Sequence, residues 1–80
     1  MIARNIKLWF CRGTSDKTYE LLMSEQKEGG STRFTVIARW GRRGGKQSEQ
    51  IKHSSYSRYS ADAIYEQIMS EKLQKGYSVL

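Results

Sequence analysis

The residues with most chemistry to offer are Arg39-Trp40-Gly41-Arg42-Arg43-Gly44-Gly45-Lys46, at the end of an alternating apolar run. An indole beside guanidinium groups presents a flat apolar face and cationic forks in one place. A sugar or base can stack on the ring while Arg39 or Arg42 donates paired hydrogen bonds to a phosphate. The glycines let the backbone come close and leave amide donors free for an anion. Trp40, Gly41, Arg42, Arg39, Arg43 and Lys46 are therefore candidate nucleic-acid contacts. If the ring is exposed, Trp40→Ala weakens binding and leaves the fold intact. The competing reading makes Trp40, which shares parity with Phe34, Val36 and Ala38, the last core residue of its strand. The arginines are then a solvated hairpin tip.

Charge supports a binding surface. Between Arg33 and Arg58 stand seven basic residues and one acid, Glu49, so this third of the chain carries the whole formal charge of +6. Clustered cations attract polyanions and steer their approach. A second cationic and aromatic stretch, His53-Ser54-Ser55-Tyr56-Ser57-Arg58-Tyr59, suits phosphate and sugar contacts or a solvated loop.

The inventory argues against catalysis. His53 is the only histidine, and the single cysteine, Cys11, lies on a different strand with no reason to meet it. Neither a disulfide nor a cysteine-based zinc site can form. Nothing in the spacing of Asp16, Glu20 and Glu49 makes carboxylates converge. Lys46 is followed by Gln47 rather than Ser or Thr, so the glycine-rich turn is not a P-loop. The expectation is a binding module with no catalytic residue, metal or cofactor. Apolar runs of only a few residues exclude a membrane-spanning helix, and the N-terminus lacks the pattern of a signal peptide. The cytoplasm is the expected setting.

These residues must be positioned by a small α+β domain spanning 1–80. The first half reads in twos. Ile2, Ile6, Leu8 and Phe10 mark a first strand, with Trp9 and Cys11 on its other face. Tyr19, Leu21 and Met23 mark a second, alternating with Glu20, Leu22 and Ser24. Phe34, Val36, Ala38 and Trp40 mark a third. Glycine-bearing turns separate them, and Gln47 to Ser54 is a polar fourth strand suited to an edge. The period then lengthens: Ser60 is the expected N-cap, with Asp62 in the first turn. Ala61, Ile64, Tyr65, Ile68, Met69, Lys72 and Leu73 form a helical stripe, and Gly76 ends it. Tyr77 to Leu80 is extended and suits a short fifth strand. The predicted fold is an antiparallel meander with one helix packed on a face.

In this order and spacing, Asp16-Lys17-Thr18-Tyr19-Glu20-Leu21, Thr35-Val36-Ile37-Ala38-Arg39-Trp40-Gly41-Arg42, Gln47 and Lys75-Gly76-Tyr77 resemble the WGR domain. The resemblance covers nearly the whole chain. WGR domains occur in poly(ADP-ribose) polymerases and in bacterial proteins resembling a molybdate-metabolism regulator, and their fold is an antiparallel sheet with a helix. In the polymerases the module contacts DNA near strand breaks. Its motif tryptophan packs on a backbone sugar, and its motif arginine helps hold DNA and neighbouring domains together. The resemblance places these roles on Trp40 and Arg42 and adds Arg39 and Lys17 as phosphate contacts. Two departures stand out: Arg43 replaces a usual aliphatic residue, and the turn after it is about one residue short. The resemblance implies a freestanding bacterial-type module that binds nucleic acid, DNA above all, without reading base sequence. The alternative is a protein-interaction module that presents the same surface to an acidic partner.

Overall fold

The computed structural model describes all of Met1–Leu80. Four strands, β1 (Ile2–Arg12), β2 (Ser15–Glu28), β3 (Ser31–Arg42) and β4 (Gln47–Ser55), precede one helix, α1 (Arg58–Gln74). A two-residue strand, β5 (Ser78–Val79), ends the chain. The sheet is antiparallel throughout, in the order β4-β3-β2-β1-β5. This is the α+β meander with one helix that the hydrophobic period predicts. Strands of up to 14 residues, rising about 3.3 Å per residue, explain a long axis of 49 Å.

One face of the sheet makes the core. Period two brings Leu8, Tyr19, Leu21, Met23, Phe34, Val36 and Ala38 to a common side, which α1 closes with Ala61 and Tyr65. The Tyr65 ring is sealed, and its hydroxyl donates to the Leu21 carbonyl at 3.2 Å, so burial leaves no polar atom unpaired. β2 is central and is covered on both sides at its middle. Leu22 points away from the helix with Glu20 and Ser24, yet only 4% of it is exposed. β4 is the polar edge that its composition predicts.

The helix begins earlier than expected. Ser57, not Ser60, is the N-cap, and its side chain accepts from the Ser60 amide at 3.2 Å. Arg58 and Tyr59 fill the first turn with exposed side chains and so add nothing to the apolar stripe that locates a helix in sequence. Asp62 falls beyond the first turn. It pairs with Arg4 at 3.3 Å and Arg58 at 3.6 Å rather than with the helix terminus.

Candidate nucleic-acid interface

Strand register assembles the site. On the helix side of the sheet Leu8, Tyr19, Trp40 and Ser48 stand directly opposite one another on four successive strands. Two residues towards the β1–β2 turn, Phe10, Lys17 and Arg42 form the next row on that side. Cross-strand pairing stacks the Tyr19 and Trp40 rings nearly parallel, 21° apart with centroids at 6.1 Å. Trp40 is half-buried: one part of the indole packs against the core cluster, and the rest opens into a cavity of about 560 Å³. Trp40 thus both ends the core on its strand and lines the surface cavity.

The helix terminus closes this cavity. Gly76, at φ +106°, lets the Tyr77 amide reach the Lys72 carbonyl and the Gly76 amide reach the Leu73 carbonyl, both at 3.1 Å. This is the Schellman arrangement, which sets the residue after the glycine beside the one five positions back. A Cβ on Gly76 would also lie 3.3 Å from the Phe10 ring. Tyr77 consequently packs on Phe10 at 5.4 Å and edge-on to Tyr19 at 6.3 Å. Lys72 reaches over Tyr19 at 4.5 Å and Tyr77 at 5.7 Å. A β-bulge supplies one more cation. Register slips between Val36 and Ile37, leaving Lys52 unpaired in the ladder, and its ammonium lies 5.4 Å over the Trp40 ring.

Folding redistributes the charge that sequence concentrates between residues 33 and 58. Arg33 pairs with Glu28 at 3.0 Å, Arg58 with Glu25 at 3.0 Å, and Arg39 with Glu49 and Glu20. Most of these acids come from outside the segment. What remains without a carboxylate partner is Arg42, Arg43, Lys46 and Lys52. Lys17, Lys72 and Lys75 join them at the same end of the molecule, where the β1–β2 turn, the β3–β4 turn and the helix C-terminus meet. Burial, followed by the like charges of Lys75, Lys52 and Lys17, pulls the Lys72 ammonium below the usual lysine range. Burial also raises the Tyr19 phenol above its ordinary value.

The sequence candidates divide by face. Trp40, Gly41, Arg42 and Lys17 line one cavity. Arg39 and Arg43 lie in a different concavity beside Lys7 and Glu20, with the Arg39 guanidinium held by its carboxylates and Arg43 at 5.2 Å over the Trp9 ring. Trp9 donates its indole N–H to Asp16 at 2.7 Å. Lys46 is exposed at the turn. In the second aromatic stretch, Tyr56 joins Arg33 and Glu28 and Tyr59 is 85% exposed; neither reaches the cavity.

Gly41 answers to the chain's own packing rather than to a ligand. A Cβ there would lie 2.6 Å from the Lys46 carbonyl oxygen and 3.0 Å from the Gln47 side-chain nitrogen. Gln47 uses that nitrogen to donate to the Arg42 and Gly45 carbonyls at 3.0 and 3.2 Å, stapling the turn across the glycine. Amide donors are scarcer than expected: Arg43 donates to the Asp16 carbonyl and Gly45 to the Arg42 carbonyl, both at 2.9 Å.

Sequence reasoning did not assign Tyr19, Lys52, Lys72 or Tyr77 to the site. Tyr19 and Lys72 were visible as members of an apolar strand face and a helical stripe, and Lys75-Gly76-Tyr77 signals the cap that places Tyr77. Nothing local announces the bulge at Lys52.

No curated protein and no solved structure matches the chain. A family profile does: that of the WGR domain, over residues 5–80. Its match contains every part of the cavity described above, from Phe10 to Tyr77, and the chain belongs to the WGR domain family.

Proposed function

We propose that this protein binds nucleic acid, chiefly DNA, through the Trp40 cavity, gripping the sugar-phosphate backbone or strand ends without reading bases. The WGR family is a family of nucleic-acid-binding modules. The observation that carries the reading is the open part of the Trp40 ring, backed by Tyr19 and bordered by four cations with no ion-pair partner: Lys17, Arg42, Lys52 and Lys72. Phosphates meet the cations, a sugar packs on the open part of the indole, and no group is set to report base identity. Lys52 rests over that indole in the free protein, so an incoming phosphate draws its ammonium aside and uncovers ring surface. The free, exposed thiol of Cys11 suits a reducing compartment, and a cytoplasmic setting belongs to this reading.

The test is a mobility-shift titration at low salt with duplex, nicked and single-stranded DNA of several sequences. Binding to at least one form, insensitive to sequence and weakening steeply with salt, is the expected result. No shift with any of them ends the proposal. A partner that stays bound after nuclease treatment would instead assign the surface to an acidic protein.

A further inference from the structure

We infer that the Trp40 cavity is also a site for a free nucleoside polyphosphate, held by its phosphates between Lys17, Arg42, Lys52 and Lys72 with its base against the open part of the Trp40 ring.

The argument begins with charge crowding. Lys17 and Arg42 face each other directly across the ladder, an arrangement of like charges that sheets avoid. Lys72 approaches from the helix and Lys52 from the edge strand, and all four line a single concavity. None has a carboxylate within ion-pair distance. The only acid on the lining, Asp16, is engaged with the Trp9 indole at 2.7 Å. The depressed basicity of Lys72 is a second sign of the same crowding.

A strand of nucleic acid spreads its charge, one per phosphodiester, along a line that leaves the cavity at both ends. A nucleoside polyphosphate brings several charges on one short tail, and its terminal monoester alone carries about 1.5 to 2. Compact compensation of four converging cations therefore favours the polyphosphate. Size agrees: about 560 Å³ falls within the range of roughly 300–1,000 Å³ for small-molecule sites. The open part of the Trp40 ring, backed by Tyr19, gives the base a stacking surface, and the Ser15 hydroxyl on the lining is available to a ribose. The inference shares its cavity with the nucleic-acid reading but does not depend on it.

The experiment uses the full, unsubstituted chain, in which the Trp9 indole keeps the one acid on the lining occupied. The chain's fluorescence is titrated at fixed ionic strength, without divalent metal, with ATP, AMP, adenosine and inorganic triphosphate. ATP is expected to bind at least about tenfold tighter than AMP, and inorganic triphosphate to compete with ATP. Adenosine should leave the signal unchanged. Lys72→Met, and independently Lys52→Gln, should each weaken ATP binding several-fold, whereas Lys27→Met, the same charge removed at the far end of the sheet, should not. Equal affinity for ATP and AMP, or equal loss from the Lys72 and Lys27 variants, overturns the inference. Labelled duplex in the same samples separates the two readings. DNA bound and ATP not bound refutes the nucleotide site alone, and ATP bound without DNA upholds it while refuting the nucleic-acid reading.

Discussion

Trp40 and Gly41 do opposite things with adjacent positions. Trp40 lends part of its ring to the core and part to the cavity, so its removal costs both. Trp40→Ala is expected to lower unfolding stability by about 2 kcal/mol, less than for a fully buried aromatic, and to weaken nucleic-acid binding about tenfold or more through lost stacking. Chemical denaturation and a binding titration on the same variant separate the two. An unchanged denaturation midpoint would show the ring to be free of the core. Gly41→Ala is expected to cost about 1–3 kcal/mol, since its Cβ would meet the Lys46 carbonyl at 2.6 Å. Its effect on binding should then come through the displaced Gln47 staple. That staple, the Gly45 amide and the strand pairing with Lys17 together hold the arginine between the glycine and the turn.

At the level of the helix, the start and the end have different consequences. Ser57→Ala removes the side chain that accepts from the Ser60 amide and should destabilise by about 1 kcal/mol. Ser60→Ala should change stability by less than about 0.5 kcal/mol; thermal melts that rank the two the other way would restore the later start. The C-terminal cap is the part that builds function, because it sets Lys72 beside Tyr77 over Tyr19. Lys72 has a folded-state pKa below its unfolded value, so between those values the unfolded chain holds more protons and stability rises with pH. The penalty is full below the folded pKa and gone above the unfolded one. Measured by denaturation from about pH 7 towards 10, the wild type should gain stability relative to Lys72→Met. A constant difference would mean that Lys72 titrates normally.

For the molecule as a whole, the strands carry charge to one end of a 49 Å axis. Acids of β2, β4 and α1 neutralise Arg33, Arg39 and Arg58, while unpaired cations gather where the two turns and the helix terminus meet. Binding should depend on that end alone. Arg42→Gln is expected to reduce the slope of log affinity against log salt by about one. Arg33→Gln, already paired with Glu28 at 3.0 Å, should leave the slope unchanged. Equal effects would indicate diffuse attraction to the net charge rather than a located site.

The alternating pattern of Leu8, Tyr19, Leu21, Met23, Val36 and Ala38 and the helical spacing of Ala61 and Tyr65 determined the meander, the helix and the buried face, because burial acts on local period. The same parity placed Trp40 and Arg42 on the helix side and Arg39 on the other, although reading the basic run as one patch obscured that division. Which cations remain unpaired was decided only in three dimensions, since Glu20, Glu25 and Glu28 reach Arg39, Arg58 and Arg33 across strands or elements. The bulge at Lys52 and the return of Tyr77 onto Phe10 likewise depend on contacts between distant segments. A binding surface is a residue of charge left over after folding has made its pairs, and linear sequence counts charges before those pairs exist.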